Sequence, residues 1–435
     1  VSPASRVRQR AVDLSSPLRI PEYRRLWVAD VVSSLGDWAA RLALAVLVFE
    51  RTGSPGWAAA VTAVSLAGFV GLGQVLATFG DRHGRVRVML VADVTRAVCF
   101  ASMLIPGIPI AGLLALAFLA GLASPPFEAA RSAALPDLVP QHRYGDALAL
   151  SGMTFQFSLV SGYAFGGLLL SVLTPSGALA VNAATFAVSA AILLPLRTSP
   201  AAAPAQRPTG AGASLRAAAG HLFGDRLIRR AIVLVAVSGC LGTVSEALVV
   251  PYAGLVGFDV GATGLLAAMV PIGTLLAVAV IPTQGSHERL LRGASWCVLL
   301  SAAAAAPLFA AEAAGAMALV AFLVSGTMYA ASIPTNTVAG MRLERDTRAS
   351  AMGIAVGLIM GSQALGAALG GVAAATFGTS VAITWSFVLA AAFGAWAVAT
   401  SPSDARHLAG RHRRRVIDLR VDSPAPEPEA ELLQA

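Results

Sequence analysis

Lysine is absent: all 31 basic side chains of the 435 residues are arginine. That removes the Gly-Lys-Ser/Thr phosphate loop and the lysine Schiff base, so ATP-driven work within this chain is excluded. Charge of either sign is scarce, 12% of residues against 56% hydrophobic, with a mean hydropathy of +0.73. A soluble domain carries about twice that charged share, so the composition is that of a polytopic membrane protein. Cysteine is limited to Cys99, Cys240 and Cys297, each inside an apolar run and without metal-like spacing, which reads as three core thiols and neither disulfides nor ligands. The six histidines are dispersed, so no loop carries the clustered His, Cys or carboxylate set that a membrane enzyme needs. No cofactor or metal is expected. The net charge of +8 is spread between apolar segments, which excludes a nucleic-acid partner and assigns the arginines to topology.

What is present in abundance is long hydrophobic runs. Windows of roughly 20 residues give twelve candidate spans, at 26–49, 57–79, 88–105, 108–127, 147–173, 176–196, 228–254, 260–283, 291–311, 314–338, 350–376 and 379–400. Of the arginines, only Arg51 falls in an outer loop, and Arg41 and Arg96 lie inside spans. All others sit in the amino-terminal segment, the even-to-odd loops, their span edges and the tail, so the positive-inside rule places both termini in the cytoplasm. Val1 to Arg25 is polar and arginine-rich, a cytoplasmic lead-in and not a cleavable signal. Residues 197–227, rich in Ala, Pro and Thr, form a cytoplasmic linker between an amino-terminal six-helix bundle, 26–196, and a carboxy-terminal one, 228–400. The tail, 401–435, carries His412-Arg413-Arg414-Arg415 and then a Pro/Glu-rich disordered end. The expected fold is all-α and polytopic, twelve transmembrane helices in two bundles, working as a monomer in the lipid bilayer.

A weak repeat joins the halves. Gly162-Tyr163-Ala164-Phe165-Gly166-Gly167 matches Gly366-Ala367-Ala368-Leu369-Gly370-Gly371, and equivalent spans recur about 205 residues apart. Parallel six-span repeats place a substrate site between the halves near the midplane, while the glycine pairs also serve plain helix packing.

Ionisable residues inside spans are costly in lipid and are functional candidates by default. Asp30, Asp37 and Arg41 recur at seven and four residues, within about 40° on one face of span one. Asp37 lies roughly 16 Å deep in a core of about 30 Å. It is either a proton-coupling residue or half of a self-neutralising pair with Arg41. Glu246 in span seven has no basic residue within a helical turn, which suits it to accept a proton. Arg41, Trp38, Gln156, Asn182, Asn336 and Gln363 are cavity candidates, with Phe157 and Phe165 as further aromatics. Few charges and several aromatics favour a small amphipathic or hydrophobic substrate.

The turn between spans two and three, Gly80-Asp81-Arg82-His83-Gly84-Arg85-Val86-Arg87, is a glycine-punctuated basic elbow. It resembles the signature loop of the major facilitator superfamily, written G-x-x-x-D-R-x-G-R-[RK]. Asp81, Arg82, Gly84 and Arg85 match, whereas Ala77 stands for the leading glycine and Val86 for the last basic residue. The stretches Tyr23-Arg24-Arg25-Leu26-Trp27, Ser33-Ser34-Leu35-Gly36-Asp37-Trp38 and Ala130-Arg131-Ser132-Ala133-Ala134-Leu135-Pro136-Asp137-Leu138-Val139-Pro140 resemble the branch of macrolide-efflux and enterobactin-export permeases. The resemblance implies a cytoplasmic gate at the elbow, with Asp81 facing the helix-eleven end and Arg85 an acidic partner. Asp93 and Arg96, one turn apart near the cytoplasmic end of span three, are expected to support that elbow. It implies secondary active export across the plasma membrane, driven by protons and without nucleotide. An uptake symporter on the same fold, or a non-transporting sensor or scaffold, is the alternative.

Overall fold

A computed structural model describes residues 16–70, 84–196, 219–220, 222–280, 285–333, 338 and 345–401, the stretch 345–350 by backbone alone. Its long helices are α1 Pro21–Thr52, α2 Pro55–Ala67, α3 Arg85–Ser102, α4 Ile110–Leu138, α5 Tyr144–Val172 and α6 Pro175–Leu193. The second set is α7 Arg226–Ala247, α8 Val260–Val280, α9 His287–Ala310, α10 Ala316–Thr327, α11 Arg345–Phe377 and α12 Thr379–Ala399. Among the described residues, nine helices are long and apolar enough to cross a bilayer. The chain is an all-α polytopic membrane protein. The ends follow local chemistry. Prolines whose missing N–H has no helical partner open α1, α2 and α6. The Asp225 carboxylate accepts from the N–H groups of Leu227 and Ile228 to start α7. Gly53, at φ 62°, supplies the left-handed residue that closes α1 with its N–H on the Phe49 carbonyl.

Two spans differ from the sequence expectation. Helix α4 runs on past residue 127 to Leu138, through Pro125, Pro126 and Pro136. The extension holds because Phe127, Ala130, Ala134 and Leu138 recur at three to four residues and are buried as one stripe. The expected single run 228–254 breaks at Leu248, after which Val249–Leu255 forms a separate short helix. Pro251 sits in the first turn of that piece, where it forfeits no hydrogen bond.

Helix packing repeats with a shift of six. In the first half α1 packs on α5 and α6, α3 on α4 and α6, and α2 on α4; in the second α7 packs on α11 and α12, α9 on α10 and α12, and α8 on α10. The two large contacts between halves, α2 with α11 and α5 with α8, are also each other's images. The glycines explain this closeness. A Cβ at Gly162 would meet the Leu35 carbonyl and Trp38, and one at Gly366 the Cys240 carbonyl. Gly166 lies on Ala39 and Gly370 on Val244; Gly167 lies on Gly261 and Gly264, and Gly371 on Gly56 and Ala59. Small residues at these crossings let backbones approach, the usual device where lipid offers no hydrophobic drive. Gly167, Gly264, Gly56 and Gly371 all sit at the helix ends that face away from the amino terminus, so the halves are pinched together on that face.

One buried core runs through both halves, with an aromatic cluster in each. In the second, Tyr252, Phe309, Phe322 and Phe387 form an aromatic cluster with ring centroids 5.2 to 5.6 Å apart. The first centres on Phe100 stacked on Phe186 at 5.8 Å.

Candidate functional site

Among the described residues, the seam between the halves carries one direct side-chain hydrogen bond. Tyr163 of α5 is buried, and its hydroxyl donates to Glu246 Oε1 of α7 at 2.5 Å. A phenol on a carboxylate is a charge-assisted bond, stronger than a neutral one. The Tyr163 ring rests against Trp38 of α1 at 5.5 Å, and Phe155 meets Trp38 edge-on at 6.3 Å. The Arg41 guanidinium lies over the Trp38 ring, 4.4 Å from its centroid. On the other side Tyr329 stands beside Glu246, its hydroxyl 3.1 Å from Thr243 Oγ1. A cation, two aromatic rings tilted at 55° to each other and a carboxylate thus follow one another across the seam.

Several sequence candidates converge here. Glu246, Trp38 and Arg41 are joined as described, and Gln363 of α11 packs over Gly239 of α7. Gln156 is half-buried two turns before Tyr163, on the same face of α5. Asp37 is half-buried one turn before Arg41, yet the two form no ion pair; the guanidinium takes the Trp38 face instead. Others fall elsewhere. Asn182 is 1% exposed, packed against Gly36 at the seam of α1 and α6, its carbonyl oxygen accepting from the Thr185 hydroxyl at 3.1 Å. It is a packing residue of the first bundle and not a cavity wall. Phe157 and Phe165 are exposed and lie about 120° and 160° around α5 from Tyr163, so they face away from it. Asp81, Arg82 and Asn336 lie outside the described residues.

The elbow residues that are described sit at the start of α3. Gly84, at φ 86°, takes the N-cap position in a conformation that a side chain resists. Arg85 pairs with Asp137 at the end of α4, so its acidic partner comes from its own bundle. Asp93 and Arg96, expected beside the gate, are instead sealed inside that bundle. Arg96 donates to Asp93 at 2.6 Å, and Ser189 of α6 donates to the other Asp93 oxygen at 2.7 Å. The guanidinium is held between Phe127 and Phe186, 4.6 and 4.4 Å from their centroids. The pair fastens α3 to α4 and α6.

A second polar system was missed by the sequence because span four was ended too early. Arg131 of α4 donates to Asp30 of α1 at 3.2 Å and to Glu128 at 2.6 Å. It borders a cavity of about 80 Å³ between α1, α4 and α5, lined also by Tyr23, Trp27, Tyr144 and Ser151. Tyr163 and Tyr329 were missed too, although a phenol set between glycines within a span was a signal for the first.

The described helices thus form two halves of repeated packing with a polar seam between them. Residues 26–354 match the family model of the Major Facilitator Superfamily. The chain belongs to that superfamily. Its members are transporters and not enzymes. An uncharacterized MFS-type transporter of Bacillus subtilis, YfiS, is 27% identical over 169 residues, a match that spans 39% of this chain and 40% of that relative. Among solved structures, a POT family transporter in complex with 5-aminolevulinic acid superposes with a TM-score of 0.69 at 12% identity, over 87% of this chain and 96% of the other. A bacterial homolog of the human lysosomal transporter Spinster, inward-facing and occupied, gives 0.67 at 15% identity, over 88% and 96%. The nucleoside transporter NupG gives 0.63 at 16% identity, over 87% and 97%. These likenesses establish the major facilitator fold.

Proposed function

We propose that this protein is a secondary active transporter of the plasma membrane that exports small amphipathic or hydrophobic compounds in exchange for protons. Bundles 26–196 and 228–400 rock about the central seam, and the protein acts as a monomer with no cofactor. The observation that carries this reading is the bond from Tyr163 to Glu246. It ties a carboxylate of one half to a phenol of the other, so protonation of Glu246 or capture of that carboxylate by a ligand is felt by both halves at once. A group on one bundle alone has no such leverage.

The arginine distribution supports cytoplasmic termini, which makes the pinched glycine face external and this conformation inward-facing. In that state Glu246 gives its proton to the cytoplasm, and the anion holds the Tyr163 bond. Substrate arriving from the inside displaces Tyr163, loosens the external pinch and leaves outward, after which an external proton resets the acid. Asp37, one turn from Arg41 and half-buried, is the second proton candidate. Resemblance of the Tyr23 to Trp38 and Ala130 to Pro140 stretches to macrolide and enterobactin exporters supports outward movement. Small molecules named with fold neighbours, 5-aminolevulinic acid and nucleosides, support a small-molecule cargo.

The test is gradient-driven movement of rhodamine 6G in proteoliposomes holding the purified protein. An imposed proton gradient should drive dye against its own gradient, and a protonophore should stop it. Glu246→Gln should abolish the driven component, and Asp37→Asn should reduce it. Full driven transport by both variants would overturn the assignment of protons to these residues.

A further inference from the structure

The internal repeat fixes more than packing. Between α1 and α7 the equivalence is a shift of 205: the Leu35 carbonyl meets Gly162 as the Cys240 carbonyl meets Gly366, and Ala39 meets Gly166 as Val244 meets Gly370. The same shift relates Gly56 and Ala59 of α2 to Gly261 and Gly264 of α8. Carried two residues past Ala39, it pairs Arg41 with Glu246. A fixed cation and a fixed anion therefore stand at equivalent depths on opposite sides of the pseudo-twofold axis.

These two charges do not neutralise each other. Among the described residues neither takes part in an ion pair; Arg41 lies over Trp38, and Glu246 accepts from Tyr163. Both are half-buried and so keep access to the seam. A cation resting on an aromatic face retains its hydrogen-bond donors for an anion in its plane, and a carboxylate that accepts from Tyr163 with Tyr329 beside it still has further lone pairs. Between them the Trp38 and Tyr163 rings offer an apolar wall.

We infer that the central site takes a zwitterion: a compact compound whose anionic group docks on Arg41, whose cationic group docks on Glu246 in place of the Tyr163 hydroxyl, and whose apolar body lies along Trp38 and Tyr163. A singly charged compound leaves one fixed charge of the seam without a partner, an expensive state in a low-dielectric site. A zwitterion satisfies both and also spans the two halves, which couples its binding to their movement. This inference deepens the transport reading by naming its substrate class and rests on the same seam.

A matched dye series tests it on the purified full-length protein in nanodiscs, by fluorescence anisotropy. Rhodamine B carries a carboxylate and a cationic xanthene; its methyl ester keeps only the cation, and fluorescein keeps only negative charge. The zwitterion should bind about ten-fold tighter than either relative, the scale of one charge-assisted contact. Arg41→Gln should cut its advantage over the ester to below about two-fold, and Arg41→Lys should restore most of it. Glu246→Gln should cut the advantage over fluorescein in the same way. Monodisperse elution of each variant shows that it is folded. Equal binding of zwitterion and ester, absence of binding by all three dyes, or an unchanged preference in Arg41→Gln would overturn the proposal. If the ester is driven across proteoliposomes while no zwitterion preference exists, only the substrate class fails. If the zwitterion is preferred but no dye follows the proton gradient, only the transport reading fails.

Discussion

Replacement of Arg96 by Met separates a structural ion pair from a gate. Asp93 is fully buried, and its two oxygens are served by Arg96 at 2.6 Å and Ser189 at 2.7 Å. Arg96→Met keeps the length and the contact with Phe127 and Phe186 but withdraws the counter-charge, leaving a carboxylate in an apolar bundle with one hydroxyl for company. Breaking a buried pair by one partner costs about 3 to 5 kcal/mol. Loss of two cation-to-ring contacts adds about 1 to 2 kcal/mol, since both distances are below 5 Å and the group is desolvated. The expected penalty of about 4 to 7 kcal/mol lowers the melting temperature of a bundle this size by on the order of 10 °C or more.

Thermal unfolding of the detergent-solubilised protein, followed by size-exclusion recovery, reads this directly. The double variant Asp93→Leu with Arg96→Met removes both charges and should recover most of the lost stability, because apolar replacement of a whole buried pair is often neutral. A gate pair predicts the opposite pattern: little thermal change and a large change in transport rate. An Arg96→Met protein as stable as the parent, or a double variant no better than the single, would refute the reasoning.

Three further outcomes follow from the seam and its ends. Tyr163→Phe keeps the ring against Trp38 but removes the donor to Glu246, a charged hydrogen bond worth about 1.5 to 3 kcal/mol. Double electron-electron resonance between spin labels on the two bundles should show the ratio of pinched to open conformers falling by about ten-fold or more, and an unchanged distance distribution would discount the latch. Gly264→Val drives a side chain into the Gly167 backbone, so a cysteine placed at Ser171 in a cysteine-free background should label faster with an impermeant maleimide from outside. Equal labelling rates would mean that this crossing does not set the closure. Arg85→Ala should lower stability by less than about 1 kcal/mol, because its pair with Asp137 is at the rim, with side chains 20% and 26% exposed. A large thermal loss would give Arg85 a structural weight that its exposure denies.

Most of the architecture was legible because bilayer solvent imposes a simple rule: a run of apolar residues long enough to cross must be a helix. Arginine placement then ordered the loops. The errors came where chemistry is local. A hydropathy window of roughly 20 residues ends span four near residue 127 and leaves Arg131 in a loop, yet the buried stripe carries the helix through three prolines to Leu138. The spacing of Asp37 and Arg41 suggested a pair, but spacing cannot say that Trp38, three residues before Arg41, offers the guanidinium a better surface. Asp93 and Arg96 were placed at the gate by their nearness to the elbow in sequence, whereas α3 carries them inward to Phe127 and Phe186. Tyr163 was noticed only as a letter in a glycine repeat, since its partner is 83 residues away on another bundle.

The repeat preserves shape and discards chemistry, and the division has a physical reason. Rocking between two end states needs both inter-bundle crossings, α2 on α11 and α5 on α8, to tolerate the same close approach, so glycines recur at Gly167 and Gly371 and small residues oppose them. A substrate bound on the axis sees each wall once, and two identical walls would present it with like charges. Arg41 opposite Glu246 instead gives a field directed across the seam, strongest where the bundles meet and weakened as they part. Binding a dipole there is thereby a force on the hinge. An Arg41→Glu substitution, which restores chemical symmetry by placing carboxylates on both walls, should drive the bundles apart through repulsion and hold the seam open even without ligand. Spin-label distances across it should lengthen in that variant and return when Glu246→Arg is added. Failure of the second change to reverse the first would mean that the two charges do not face one another.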